Sequence, residues 1–342
     1  MKIFVELFGE DFSTNAQEPG RSKWSRLIKF LHNNYSSLEV VTDLDEMVNV
    51  YLVIDARKSI EFYREYRLQH PKCQMVLIMV EMPAVNPLQH KKELRKQFDY
   101  IFVPNPKLAK EYLGIYFNFP FLLHNHQNIS FLDPSRKVTF GYVGTCKNSL
   151  VKSSLYYLRP RVLGMISKSS LLLLAGKDWD ISSLARVKND FNTARFLLEN
   201  RLKPSLTKLM FWFNVSISPN YKGEVSDKFE FLSKCDVVLC MENDKYEFSE
   251  KFIDAVTLGK VPFYFGSSLD QYEIPQSIYF YGGVGLRKGR KTLRSINPTS
   301  INEKLNCLSR WRESGIEKWR EDVAFDDLSK QLRVVFSKIL EK

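Results

Sequence analysis

Lys234-Cys-Asp-Val-Val-Leu-Cys-Met-Glu-Asn243, then Phe248-Ser-Glu-Lys-Phe-Ile-Asp-Ala-Val256, then Gly259-Lys-Val-Pro-Phe-Tyr-Phe-Gly266, reads as strand, acidic-amide loop, short helix and strand. Val237 to Met241 has the length and composition of a buried strand and delivers Glu242 and Asn243 to its carboxyl end. Ser249 stands where a helix N-cap belongs, and Glu250 falls in the first turn, where carboxylates are favoured. Phe252, Ala255 and Val256 keep one helical face apolar, and Gly259 supplies the stop. Val261 to Phe265 is the next strand, with Pro262 tolerable near its start. Ligands of such β-α-β units bind at strand carboxyl ends beside helix N-termini. There the sequence concentrates Glu242, Asn243, Glu250 and Lys251.

Length and charge bound the rest. A chain of 342 residues holds two domains, each with its own core. The net charge of +11 suits an anionic partner, but repeated basic-aromatic modules of nucleic-acid binders are missing, so nucleic acid is not expected. Cys73, Cys146, Cys235, Cys240 and Cys307 are scattered without zinc-ligand spacing, which predicts packing roles in a reducing compartment. Met1 to Phe8 begins as a strand rather than a signal or anchor, and no run approaches the ~20 apolar residues of a spanning helix.

Up to about residue 130 apolar strands alternate with amphipathic helices, which predicts a parallel, helix-flanked sheet. Strands are predicted at 3–8, 48–54, 75–80 and 100–103, and helices at 23–32, 59–68 and 87–97. The polar segment 125–137 predicts a linker. A second alternating block follows, with strands at 138–143, 171–175 and 277–281 besides those quoted, and a helix at 159–167. Segment 182–214 has a fair helical pattern, and the last forty residues are strongly helical.

The ordered series Met241-Glu242-Asn243, Phe248-Ser249-Glu250-Lys251 and Gly259-Lys260-Val261-Pro262-Phe263-Tyr264-Phe265-Gly266 resembles the donor signature of glycosyltransferase family 10, the α-1,3/4-fucosyltransferases. That signature has a Phe-Glu-Asn-Ser loop, then Tyr-Val-Thr-Glu-Lys, a small helix and Gly-x-Val-Pro-Val-Tyr-x-Gly. Here the loop is shorter, and Glu247 stands where an aromatic residue is common, which bears on the sugar more than on the fold. The resemblance covers best Phe140 to Tyr281, with Glu81 and its strand as an outlying match. It implies an α/β, GT-B-like fold, two Rossmann-like domains facing a central cleft, with a C-terminal helix. The expected domains are 1–133 on the acceptor side, 134–315 for the nucleotide sugar, and 316–342 packing back toward the first. Animal relatives carry an N-terminal anchor and disulfides; this chain resembles the soluble bacterial branch, so a cytoplasmic location is expected.

Transfer of a sugar needs a base for the acceptor hydroxyl, cationic groups for the departing diphosphate, and stabilisation of an oxocarbenium-like carbon. Glu81, after the strand Gln74 to Val80 and before a proline-fixed loop, is the candidate base and resembles the family's acidic residue there. Without the resemblance a solvated or capping glutamate is the plainer reading. Arg161 and Lys251 are the candidates for the diphosphate. Arg159 competes, but the helical register of Val162, Leu163 and Ile166 favours Arg161. By carry-over, Glu250 binds ribose hydroxyls and Asn243 the sugar or a phosphate, with Tyr221 and Lys222 behind them and Glu242 bracing the loop. A first-turn glutamate also has a plain dipole role worth ~0.5 kcal/mol.

Other signals are declined. Asp43-x-Asp45 and Asp178-x-Asp180 lack the context of a metal-nucleotide motif, and His124 and His126 are loop residues rather than ligands. Gly282-Gly-Val-Gly285 lacks the dinucleotide fingerprint and shows no following helix pattern. The run Arg287-Lys288-Gly-Arg290-Lys291 with Arg294 is a basic loop, hypothetically docking on an anionic inner membrane face.

The expected activity is thus an inverting, α-1,3-fucosyltransferase-like transfer from GDP-fucose to a glycan such as lipopolysaccharide O-antigen or capsule. No cofactor is required, and a divalent metal is at most stimulatory. Another nucleotide-sugar donor and a catalytically silent glycan-assembly subunit stay open as alternatives.

Overall fold

The computed structural model describes residues 1–8, 10–11, 24, 26–28, 31, 38–41, 47–121, 123, 127–146, 149, 151–177, 179 and 221–340. The chain divides into two compact units, Met1–Leu122 with Glu317–Lys342, and Leu123–Ile316.

In the first unit the apolar runs form β1 (Lys2–Leu7), β2 (Glu10–Asp11), β3 (Glu39–Val41), β4 (Val50–Ile54), β5 (Gln74–Ile78), β6 (Tyr100–Val103) and β7 (Ile115–Tyr116). Their order is β2-β1-β4-β5-β6-β7, with β3 also on β1, and the pairs are parallel except β1–β2. β4, Val-Tyr-Leu-Val-Ile, is buried throughout, as a strand covered on both faces must be. The helices are α1 (Ile60–Gln69), α2 (Lys92–Arg95) and α3 (Pro106–Tyr112). Ser59 caps α1 through the Phe62 amide, and Asn105 caps α3 through the Leu108 amide, with Pro106 in its first turn.

The second unit holds β8 (Thr139–Val143), β9 (Leu171–Ala175), β10 (Val237–Met241), β11 (Val261–Phe265) and β12 (Phe280–Tyr281), all parallel, in the order β12-β11-β10-β8-β9. Its helices are α4 (Leu158–Ser167), α5 (Lys228–Ser233), α6 (Glu250–Thr257), α7 (Leu286–Leu293) and α8 (Pro298–Arg312). Phe252 of α6 is fully buried, which contributes about 1.5–3 kcal/mol. The last helix, α9 (Glu321–Leu340), belongs to the first unit, where Leu328, Leu332, Val335 and Phe336 join a core with Trp24, Leu27 and Leu31.

The chain leaves β8 to one side for β9 and returns on the other for β10, so its winding reverses between β8 and β10. These two strands pair at Val237↔Phe140 and Val238↔Gly141, at their starts. By contrast β10–β11 pairing runs to Met241↔Phe265 and β8–β9 to Val143↔Ala175. The sheet therefore splits at the carboxyl ends of β8 and β10. Gly176, φ +123°, closes over that end of β9, where a side chain would meet the Gly144 carbonyl at 2.1 Å.

Three expectations need correction. The helix read over 87–97 shortens to α2, because Asn86 and Gln89 turn their amides onto Asp55 and the backbone there follows them in turns. The strand read over 277–281 begins only at Phe280, after a 3-10 turn at Gln276–Ile278. The basic loop at 287 is a helix: Leu286, Gly289 and Leu293 lie on its inner side, and Gly289 lets the helix approach the Phe265 ring. Residues 182–214, most of 23–32, and the pairs Asp43 and Asp45, Asp178 and Asp180, His124 and His126 lie outside the described residues. Among the described residues no helix is long and apolar enough to cross a membrane.

Candidate functional site at the split in the second sheet

A crevice at a strand-order reversal is where open parallel sheets bind ligands, because the carboxyl ends and the loops that follow them part there. One buried guanidinium spans this split. Arg159, in the first turn of α4, donates from Nη1 to the Thr145 carbonyl (3.1 Å) and from Nη2 to the Met241 carbonyl (3.3 Å), so it ties the loop after β8 to the end of β10. Nη2 also donates to Asn243 Oδ1. The Tyr156 ring lies 4.5 Å from its Cζ, and its Nε has no hydrogen-bond partner among the described residues. A buried donor left over beside a crevice is a group that an anion can satisfy.

The loop after β10 folds on two glutamates. Glu247 accepts from the Asn243 amide nitrogen (2.6 Å), from Asn243 Nδ2 (2.7 Å) and from the Asp244 amide (3.3 Å), which closes the loop on itself. Glu247 thereby occupies the place of the expected aromatic residue with a structural task of its own. Asp244 Oδ2 accepts from Ser153 Oγ (2.5 Å), and the Asn243 carbonyl accepts from the Leu155 amide (2.8 Å), so the loop is docked on the segment leading into α4.

Glu242, fully buried, accepts from the Ser249 amide (3.1 Å) and hydroxyl (2.5 Å). Ser249 is the N-cap residue of α6, but its oxygen accepts from Lys251 Nζ rather than from a helix amide, while its hydroxyl proton goes to Glu242. Lys251 Nζ reaches Ser249 Oγ (3.0 Å) and Glu242 (3.6 Å) while its side chain keeps 19% exposure. Burial opposes the charge on Lys251, but Glu250, Glu242 and Glu247 hold the ammonium above the ordinary lysine range. Burial raises Glu242 to about 7 against the pull of Lys251, and burial likewise raises Glu247.

A raised carboxyl pKa means the folded chain keeps a proton that the unfolded chain has released. Stability from this group is therefore lost as pH rises from about 4.5 to about 7. Glu242→Gln should flatten that part of the melting-temperature profile; an unchanged slope would show that Glu242 is ionised throughout.

The remaining candidates fall in different places. Glu250 is exposed in the first turn of α6, one residue from Lys251. Tyr221 bridges to Leu174 beside β9 and donates to the Gly176 carbonyl (3.1 Å), whereas Lys222 is exposed. Arg161 is also exposed, its guanidinium 5.8 Å from the Tyr157 ring. α4 starts at Leu158, one residue before Arg159, and its inward face takes Arg159 with Val162, Leu163 and Ile166, so of the two arginines it is Arg159 that turns inward.

Glu81 lies half-buried just past β5 in the first unit, at the same end of its sheet as Asp55 past β4. Asp55, fully buried at φ +61°, accepts from the Glu81 amide (3.0 Å), Gln89 Nε2 (2.7 Å), Asn86 Nδ2 (3.2 Å) and Arg57 Nε (3.0 Å). The Glu81 carbonyl bonds Gln89 Nε2 (2.7 Å) and His90 Nε2 (2.9 Å). The backbone of Glu81 is gripped at both its amide and its carbonyl. Sequence reasoning missed Asp55, Gln89 and His90; an aspartate ending a fully apolar strand was the available signal.

No protein-family model matches this sequence, and no curated protein sequence does. Solved structures do resemble its fold. The apo form of the lipopolysaccharide outer core galactosyltransferase WaaB is 12% identical, with a TM-score of 0.52 over 92% of this chain and 80% of that one. Anabaena HepE in complex with UDP is 9% identical, with a TM-score of 0.51 over 97% and 99%. Sucrose-phosphate synthase from Thermosynechococcus elongatus is 12% identical, with a TM-score of 0.52 over 94% and 81%. Two parallel-sheet α/β units with flanking helices, and these neighbours, give the chain the GT-B glycosyltransferase fold.

Proposed function

We propose that this chain is an inverting glycosyltransferase, α-1,3-fucosyltransferase-like, which moves fucose from GDP-fucose to a glycan hydroxyl. An O-antigen or capsule chain, lipid-linked or free, is the acceptor class. The observation that carries this reading is the network at the split sheet, where Arg159 and Lys251 are joined through Asn243, Glu247 and Glu242.

In this reading Lys251 and the Arg159 Nε–H, which has no partner among the described residues, meet the diphosphate, with the amides at the start of α6 in the same motif. Glu250 binds ribose hydroxyls and Asn243 the sugar or a phosphate, with Tyr221 and Lys222 at the margin; Arg161 remains a solvent-side contact. Glu81 takes the acceptor proton, the freed oxygen attacks the anomeric carbon, and the bond to the diphosphate breaks as GDP leaves with the electron pair. Lys251 neutralises the leaving charge, and a divalent metal at most adds to that.

A second donor is favoured by one observation: Glu247 closes the loop where the resembling family has an aromatic residue, so the sugar pocket differs. Thermal-shift titration with GDP, UDP and dTDP and their sugars separates the two. Stabilisation by GDP and GDP-fucose alone is expected. Lys251→Ala should weaken GDP binding by about tenfold or more, as loss of a charge-assisted bond worth ~1.5–3 kcal/mol requires. Preferential stabilisation by UDP- or dTDP-sugars replaces the donor; no response to any nucleotide leaves the silent-subunit reading.

A further inference from the structure

We infer that α7 and the loop before it form a docking surface for an anionic lipid bilayer. The observations are independent of the sugar-transfer reading. Arg287, Lys288, Arg290, Lys291 and Arg294 are all exposed, and none makes an ion pair among the described residues. Some exposed cations elsewhere find acids: Lys234 with Glu230 at 2.9 Å, Lys330 with Asp326 at 2.5 Å and Arg320 with Glu317 at 2.6 Å. Others, such as Lys72 and Arg161, make no ion pair among the described residues; what sets α7 apart is that its cations lie together on one short helix. Lys288 instead sits 3.8 Å from the centre of the Tyr281 ring.

This composition works against the helix that carries it. Arg287 with Arg290 and Lys291, Lys288 with Lys291, and Arg290 with Arg294 are like-charge neighbours three or four residues apart, which destabilises a helix. Arg287 and Lys288 also lie in the first turn, where the helix dipole opposes positive charge. What holds α7 in place is its inner side: Gly289 against Phe265, and Thr292 Oγ1 donating to the Tyr281 carbonyl (2.9 Å). An outer side of uncompensated cations fits a surface of fixed negative charge.

Two further residues favour a bilayer over nucleic acid. Val284 in the preceding loop is 44% exposed and Tyr157 at the start of α4 is 48% exposed, and Tyr157 OH meets the Val284 carbonyl at 3.5 Å. An apolar and an amphipathic aromatic side chain beside a cationic helix is the composition of an interfacial element. Single-stranded nucleic acid would call for a series of stacking aromatics among the charges.

The test is flotation of the full chain with mixed phosphatidylglycerol–phosphatidylcholine vesicles, with phosphatidylcholine vesicles alone as control. Binding is expected to the anionic vesicles only and to fall with added salt. Arg290→Gln with Lys291→Gln should weaken it by roughly 25-fold, about fivefold per charge, and should raise the melting temperature by relieving repulsion. Val284→Asp should weaken binding to the same vesicles with all five cations in place. Equal binding to neutral vesicles, no binding to either, or indifference to both variants overturns the proposal. So does a salt-dependent oligonucleotide shift, lost in the double variant, without vesicle binding.

Discussion

Under the proposed function, Glu81→Gln should leave GDP binding as it was and lower sugar transfer by about 100- to 10,000-fold, the range that loss of a general base produces. The substitution keeps the side-chain shape and removes the basic oxygen. The backbone of Glu81 is held by groups the change does not touch: its amide on Asp55, its carbonyl on Gln89 and His90. Loss of turnover with the nucleotide-induced melting shift intact would therefore report proton transfer. Turnover near the unmodified rate would remove Glu81 from the chemistry.

Arg159→Ala is the second large effect, and Arg161→Ala is its control. Removing Arg159 leaves the Thr145 and Met241 carbonyls and Asn243 Oδ1 without that donor at the split between β8 and β10. Buried polar groups left unsatisfied cost about 1–3 kcal/mol each, so a clear drop in melting temperature is expected together with loss of nucleotide binding. Arg161 is exposed and its removal should change stability by no more than about 0.5 kcal/mol. Urea unfolding of both variants, with nucleotide titration, decides the matter. If Arg161→Ala abolishes GDP binding and Arg159→Ala only destabilises, the exposed arginine is the phosphate ligand after all.

Much was legible without coordinates. Val237–Met241, Val261–Phe265, Leu171–Ala175 and Tyr100–Val103 run where their composition predicts, because parallel strands, the first two of these buried throughout, are written as unbroken apolar runs. The start of α6 beside Glu242 and Asn243 falls where Ser249 and the apolar periodicity put it, although the Ser249 hydroxyl caps no helix amide. α7 was hidden, since Gly289 and five cations argue against a helix until the packing of that glycine on Phe265 is known.

What the amino-acid order determined by itself is the pair of α/β sheets and the residues that reach the carboxyl end of β10. Strand order, and with it the split that makes that end a site, depends on pairings between segments about a hundred residues apart, such as Val237 with Phe140. Long-range contacts likewise decide which arginine turns inward, since Arg159 meets Met241 and Asn243. Glu247, by contrast, closes its loop on the nearby Asn243, and Glu81 is gripped by Asp55, Gln89 and His90 of its own unit. Local pattern carries the energy of forming an element, whereas a buried donor or carboxylate finds its partner only when the sheet has brought distant carbonyls, amides and charges within hydrogen-bond reach.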